Sequence, residues 1–338
     1  MFFSALALST SGVMAQEKIR RRCMVNDIDL KSKFSGAMVA SALGDAIGEL
    51  AFWSHDEAAL RSKVAQARVL RYTDDTAMSI GLAQSIIQIG RLDIQYLGDT
   101  FRDNFKREPW RGYASGPAKI FSLVERQGMS YTEAAHSLFS GQGSFGNGAA
   151  MRIAPVGLFY YNAANLYEKV RASAIVTHAH PIGVDGAAVL ALAIAQALKL
   201  DPQEPFPFEH LCQGLIDFAR TKEIRNKMKL VESLVAAEVP PPEASRHLGR
   251  SAAAHESMPF AIFSFLRYPR SFEACLFCAV LHGGDRDTLG AMACAVSGAY
   301  LGLKAIPQVW QEKLENHQQI ETLALQLFDK VIASKKNC

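Results

Sequence analysis

The stretch Ala187-Ala188-Val189-Leu190-Ala191-Leu192-Ala193-Ile194-Ala195-Gln196-Ala197-Leu198 decides how the rest of the chain is read. It is apolar on nearly every side, rich in alanine and longer than an ordinary strand, so it reads as a helix that has to lie fully buried. At 1.5 Å per residue such a segment spans roughly 18 Å, well short of the ~30 Å hydrocarbon layer of a bilayer. It is therefore the central core helix of a large helical domain and no membrane span.

Working outward, apolar residues recur at helical spacing in the flanking segments. Ile80, Ala83, Ile86 and Ile87 form one stripe, Leu211, Leu215 and Phe218 another, and Leu323, Leu327 and Val331 a third. Alternating strand patterns are nearly absent, which makes the fold class all-α. Glycine and alanine crowd Gly36 to Gly48 and Gly290 to Gly302, a composition that costs helix stability and permits close backbone approach in the middle of a bundle. Prolines at 202–207 and 240–242 break helices and read as surface connections.

Bulk properties narrow the function. A chain of 338 residues with 49% apolar and 20% charged residues can bury a large core as one big domain or two ordinary ones. A net charge of +3, from 36 basic against 33 acidic residues, gives no reason to expect duplex nucleic acid as a partner. Six scattered cysteines suit buried thiols in a reducing cytoplasm better than a disulfide framework, and Cys275 and Cys278 form a C-x-x-C inside an apolar helical pattern with no second pair. The first fifteen residues are apolar and end Val13-Met14-Ala15, an acceptable cleavage site with no positive charge before it. Residues 1–30, with the basic run Lys18 to Arg22, read as an N-terminal extension, either disordered or targeting, so secretion or organelle import stands beside the cytoplasmic reading.

Two acidic clusters carry the chemistry. Tyr72-Thr73-Asp74-Asp75-Thr76 and Gly283-Gly284-Asp285-Arg286-Asp287-Thr288 each open a helical pattern. One carboxylate at a helix start is an ordinary cap; two exceed what capping needs. Within each cluster one aspartate can cap while the other looks into a pocket. Four carboxylates brought together repel unless a cation joins them, and Asp and Thr oxygens without His or Cys suit Mg²⁺ or Mn²⁺.

Gly141-Gln142-Gly143-Ser144-Phe145-Gly146-Asn147-Gly148 contains a formal G-x-G-x-x-G, but Thr132 to Phe139 before it is helical in pattern, so the strand of a dinucleotide fold is missing. The loop reads either as a glycine turn between helices or as an anion nest, in which Ser144 and Asn147 add donors and Phe145 stacks on a ring. Thr177-His178-Ala179-His180 precedes the buried helix; the histidine there reads as a satisfied structural group sooner than as a catalyst, and His282 reads the same way.

At these residues the chain resembles the ADP-ribosylglycohydrolase family. The resemblance covers about Phe34 to Phe328, with Gly44-Asp45-Ala46-Ile47-Gly48, Tyr72 to Met78, Gly143 to Arg152, Thr177-His178 and Gly283 to Thr288 in the family's order. It implies a compact orthogonal bundle of many helices, a single domain over residues 31–334, and an ADP-ribosyl hydrolase. It also implies a site of two Mg²⁺ ions, with Mn²⁺ as the alternative, on Thr73, Asp74, Asp75, Asp285, Asp287 and Thr288. Asp74 and Asp75 double as the catalytic carboxylates. Gly143, Ser144, Phe145, Gly146, Asn147, Gly148 and His178 match positions that hold ADP-ribose. Ser144-Phe145-Gly146-Asn147 looks closest to the branch acting on serine-linked ADP-ribose, ADP-ribose polymer and O-acetyl-ADP-ribose, so the partner is an ADP-ribose-bearing protein or small molecule.

Two departures stand out. The serine-acting branch places a glutamate after the Gly-Asp-x-x-Gly segment, where this chain has Phe52 or Trp53; Glu49 is the nearest carboxylate and the candidate replacement. Arg286 sits between the two aspartates where the family has a small hydroxyl residue, either weakening a metal site or pointing outward. The rival reading from another class is a catalytically idle member, an ADP-ribose binder or a crystallin-like structural protein.

Overall fold

A computed structural model describes the backbone of residues 6–336 and the side chains of residues 29–334. The described chain is helical throughout: eighteen α-helices and one short 3-10 turn, with two isolated bridges, Leu70 to Leu314 and Gly146 to Ala253, in place of any sheet. The expectation of a separate extension over residues 1–30 falls largely on side chains outside the described residues. Backbone described from Leu6 onward is already part of a helix that ends at Ala51. No described helix is long and apolar enough to cross a membrane.

Two helices form the axis. Leu6–Ala51 and Arg286–Leu301 run antiparallel with their backbones almost touching. A Cβ placed on Gly44 would lie 2.2 Å from the Gly290 carbonyl oxygen, and one on Gly290 would lie 2.2 Å from the Gly44 oxygen. Gly36 meets Gly298 in the same way one step along, and Gly48 meets the backbone of Arg286 and Asp287. The eight-residue spacing of Gly36 and Gly44 matches that of Gly290 and Gly298, so the glycines stay in register over more than two turns. Only residues without a side chain permit this approach, which explains the glycine content of both segments.

The helix Pro181–Ala197 is the buried element expected from its composition: from Gly183 to Ala197 every residue except Leu192 and Gln196 is buried. It packs against Arg286–Leu301, Ala254–Arg267, Leu166–Ala174 and Ala154–Phe159. Buried apolar side chains form one continuous cluster from Phe34 to Val331. The prolines at 240–242 do more than break a helix, because Pro241 and Pro242 open the next one, Pro241–Leu248, where a missing N–H costs nothing. Cys275 and Cys278 are buried in the helix Phe272–Val280.

Buried aspartates tie helix starts to distant helices. Asp45 accepts from the Thr73 and Thr76 amides, all at 3.0 Å, and from their hydroxyls at 2.9 and 2.6 Å. Asp185 does the same for another helix, accepting from the Arg220 and Thr221 amides and the Thr221 hydroxyl. Asp45 therefore caps the helix Asp74–Ile89 from outside it, which corrects the expectation that Asp74 or Asp75 caps its own helix.

The glycine contact generates a stability test. Gly290→Ala should lower stability by about 1–3 kcal/mol through overpacking against backbone that cannot yield. Gly116→Ala, in a first turn whose nearest neighbour would be Leu138 at 3.7 Å, should be tolerated. Equal chemical-denaturation midpoints for both variants would show that the helices separate freely.

Candidate active site

The cap supplied by Asp45 has a consequence for its neighbours. With the helix-start amides already engaged, Asp75 keeps its Oδ1 buried and without any hydrogen-bond partner, and only the Thr73 hydroxyl, at 3.3 Å, reaches its Oδ2. Asp74 and Asp75 line a cavity of about 560 Å³, and Asp285, Asp287 and Thr288 line it as well. That volume falls within the range of small-molecule sites. The second acidic turn reaches the first because the glycine contact sets the start of Arg286–Leu301 against Gly48, three residues beyond Asp45.

The carboxylates repel one another. Burial, followed by the charges of Asp45, Asp287, Asp74 and Asp285, pushes Asp75 well above the usual carboxylate range. Burial raises Asp74 to about 7, with Asp45 adding to the rise, and raises Asp287 to about 8, with Asp285 and Asp45 adding. Burial also lifts Asp45 to about 6, against four hydrogen bonds that pull it down. Among the described residues no three carboxylates, imidazoles or thiolates stand in closed ligating geometry. The donor set is nevertheless all oxygen, and the Asp75 oxygen without a partner is what a hard cation would satisfy, so the residues fit Mg²⁺ or Mn²⁺.

Across the cavity, Ser144, Phe145, Gly146, Asn147 and Gly148 form the facing wall. Asn147 is the link between the two halves: its Nδ2 donates to Asp285 Oδ2 at 2.7 Å and to Ser257 Oγ at 3.0 Å. The residues 251–253 run beside the loop, where the Asn147 amide donates to the Ala252 carbonyl and the Ala254 amide to the Phe145 carbonyl. Gly143 stands outside the cavity lining; its φ of +73° and its contact with Ala179 and His180 set the loop's course. Phe145 packs edge-on against His180 and tilts toward His255.

His178 lines the cavity and is buried. Its ring passes so close to Gly148 that a Cβ there would lie 2.6 Å from Cε1. Behind it, the fully buried Arg152 donates to the Gly148 carbonyl, the Ser173 carbonyl and the Thr177 hydroxyl, and its guanidinium lies 4.8 Å from the Phe101 ring centre. Thr177 Oγ1 is 2.8 Å from His178 Nδ1. Since Arg152 can only donate, the threonine hydroxyl has its own proton for Nδ1, which leaves Nε2 as the protonated nitrogen of the neutral ring.

The remaining candidates fall outside the cavity wall. Thr73 lies outside the lining and directs its hydroxyl proton toward Asp45 and Asp75, which leaves the oxygen lone pairs for a cation. Glu49 is exposed near the end of its helix and does not line the cavity, although its charge is one of those raising Asp287. Phe52 and Trp53 are exposed, at 43% and 75%. Arg286 turns away from the aspartates: its Nη1 donates to the Ala51 carbonyl at 2.6 Å, capping the C-terminus of the first helix. Sequence reasoning missed Asp45 and Arg152 as working residues, although both lie inside motifs it singled out. It also missed residues 251–253, which carry no chemical signature.

The ADP-ribosylglycohydrolase family model matches residues 26–337, and the chain belongs to that family, a class of ADP-ribosyl hydrolases. Among particular relatives, the "ADP-ribosylhydrolase ARH3" of Mus musculus is 32% identical over 88% of this chain and 91% of its own length. The Homo sapiens protein of the same name is 31% identical over 88% and 93%. The "ADP-ribosylarginine hydrolase Tri1" of Serratia proteamaculans is 25% identical over 90% and 81%. A solved structure described as "ADP-ribosylglycohydrolase-related protein complex" shares the fold with a TM-score of 0.68 and 26% identity, over 90% of this chain and 99% of that one.

Burial, with Arg152 adding to it, holds His178 at about 3, below its ordinary 6.5. Between those values the unfolded chain binds a proton that the folded chain refuses, so the imidazole costs stability as pH falls, by up to ~1.4 kcal/mol per pH unit. The stability lead of the wild type over His178→Gln should therefore shrink by about 2 kcal/mol between pH 7 and pH 5 in paired denaturation curves. A lead independent of pH would mean that His178 is hydrated or protonated in the fold.

Proposed function

We propose that this chain is a Mg²⁺-dependent hydrolase that removes ADP-ribose from a modified protein side chain, with serine as the first-choice carrier. ADP-ribose polymer and O-acetyl-ADP-ribose are the further substrates of the same site, and one domain over residues 31–334 carries it. The observation behind this reading is the cavity itself. One wall is a set of aspartates with an unpartnered buried oxygen, and the other a glycine loop with a neutral histidine. Membership of the ADP-ribosylglycohydrolase family supports the ADP-ribose part. Serine rests on the likeness of Ser144-Phe145-Gly146-Asn147 to the serine-acting branch; the arginine named for the Serratia relative is the competing carrier.

Two ions would be held by Thr73, Asp74, Asp75, Asp285, Asp287 and Thr288, and when bound they supply Lewis-acid polarisation and a template for the ribose hydroxyls and the attacking water. The chain's own groups do the rest. Asp74 or Asp75 orients the water and takes its proton, a role that suits carboxylates whose proton affinity burial has raised. As the carrier leaves, positive charge develops at the anomeric carbon, the surrounding aspartates stabilise it in a largely desolvated site, and the proton drawn from the water is returned to the departing carrier oxygen. Asn147 keeps Asp285 in place through its 2.7 Å hydrogen bond. His178, with its Nε2–H, lines the cavity as a donor for a diphosphate and Phe145 offers a ring face, while the Gly143, Gly146 and Asn147 amides are already spent on Leu138, Ser144 and Ala252.

A second reading, a catalytically idle ADP-ribose binder, draws on one observation: every carboxylate lining the cavity is an aspartate, and no glutamate is among them. Incubation with Mg²⁺ and a panel of serine-linked, arginine-linked, polymeric and O-acetyl ADP-ribose decides between the two. We expect release of free ADP-ribose, fastest from the serine-linked substrate and lost on chelation. A thermal shift with ADP-ribose and no turnover on any substrate would establish the binder instead. Asp75→Asn should lower kcat by on the order of 10²-fold or more. Glu49→Gln should change it less than about tenfold, because an exposed charge that acts only on Asp287 contributes little; a hundredfold loss would restore Glu49 as the acid.

A further inference from the structure

A second cavity, of about 290 Å³, lies on the other side of the turn that carries Asp285 and Asp287. The two cavities share no lining residue: Asp285, Asp287 and Thr288 belong to the first, while Gly283 and Arg286 belong to the second. Arg246, Arg250, Arg286 and His282 converge on it, and Ser245 completes one side. Three guanidiniums and an imidazole on one small cavity make a strongly positive site.

Among the described residues no carboxylate closes a direct ion pair with this cluster. Arg61, Arg102, Arg111 and Arg220 each pair with a carboxylate, but none of Arg246, Arg250 and Arg286 forms an ion pair among the described residues. Arg250 donates from Nη1 to the Ser245 hydroxyl at 3.0 Å, and Arg286 donates from Nη1 to the Ala51 and Ser54 carbonyls. These three bonds hold the side chains in place and leave guanidinium N–H groups over. Arg250 also lies against Gly283, where a Cβ would be 3.2 Å from its Nε; the φ values of Gly283 and Gly284, +83° and +78°, let the turn pass beneath it. Burial, then the charges of Arg250 and Arg286, hold His282 below its ordinary range, which reports a positive field inside the cavity. Arg246 is the exposed member of the set.

We propose that this cavity binds a phosphate-bearing anion, gripped by Arg246, Arg250 and Arg286 with His282 in its lining. Guanidiniums recognise phosphate through paired N–H donors, and three in one cavity exceed what a carboxylate needs. The cavity is roomier than a single tetrahedral oxyanion, so it admits a phosphomonoester together with part of the group that bears it. Because Arg286 also caps the first helix beside Gly48, a bound anion would act on the same turn that presents Asp285 and Asp287.

The test uses the full chain with histidine rings labelled for NMR, following the His282 resonance, assigned with His282→Gln, during titration at constant ionic strength. Inorganic phosphate and O-phosphoserine are the two probes, with chloride as the reference. We expect a saturable shift of His282 with both probes and none with chloride, phosphoserine binding more tightly if the natural source is a phosphomonoester and phosphate more tightly if it is the free ion. Arg246→Gln, an exposed change that leaves the fold intact, should weaken binding on the order of tenfold, and Arg246→Gln with Arg250→Gln should abolish it. No saturable shift at tens of millimolar probe, a shift equal to that with chloride, or an unaltered affinity in the double variant would overturn the proposal. None of these outcomes depends on turnover of ADP-ribose, so failure here and failure of the proposed hydrolase activity are read separately.

Discussion

Two helices meeting backbone to backbone at Gly44 and Gly290 set the position of every other working part. The contact excludes any side chain at its centre, and it fixes the rotation and the sliding of Arg286–Leu301 against Leu6–Ala51. One residue after Gly44 stands Asp45, which reaches sideways to cap Asp74–Ile89; a few residues before Gly290 stand Asp285 and Asp287. The same crossing therefore brings both acidic helix starts to one cavity. A shift of one residue along it would carry the second cluster about 1.5 Å away, several times the ~0.5 Å within which a ligating constellation has to be held.

The cost of this arrangement is electrostatic. Asp45, Asp74, Asp75 and Asp287 are all raised by burial first, and for Asp74, Asp75 and Asp287 neighbouring aspartates add to the rise. Asp45 is the one among them that is richly hydrogen-bonded, and its four donors hold the helix start in place. Asp75, by contrast, has a buried oxygen with nothing to accept from. A stable protein keeps such a group where a ligand will complete it, and strain of this kind marks a functional site. Asn147 and Arg152 do the corresponding work on the facing wall, one fixing Asp285 and the other fixing His178 through Thr177.

Arg286 shows how a departure within a motif can serve another element. It lies between two aspartates in sequence, yet the helical rotation of successive residues sends it to the opposite side of the turn, onto the C-terminus of the first helix and the positively lined cavity. Acidic and basic residues one position apart thus serve two separate cavities.

The sequence by itself determined the helical class, the buried helix around Ala187 to Ala197, the close approach of the glycine-rich segments and the two acidic helix starts. Each of these is a local consequence of periodicity, side-chain size or the placement of charge at a helix end. Family motifs in order added the identity of the cavity's two walls. What only the tertiary structure decided is which carboxylate does which task. Capping passed to Asp45, from a helix distant in sequence; Glu49 came to lie in solvent; Arg286 turned outward; and residues 251–253 joined the wall without any chemical signal of their own. Those outcomes depend on the rotation and register of helices packed through glycine, a geometry set by contacts such as that of Gly36 with Gly298, far apart in the chain, which no local pattern encodes.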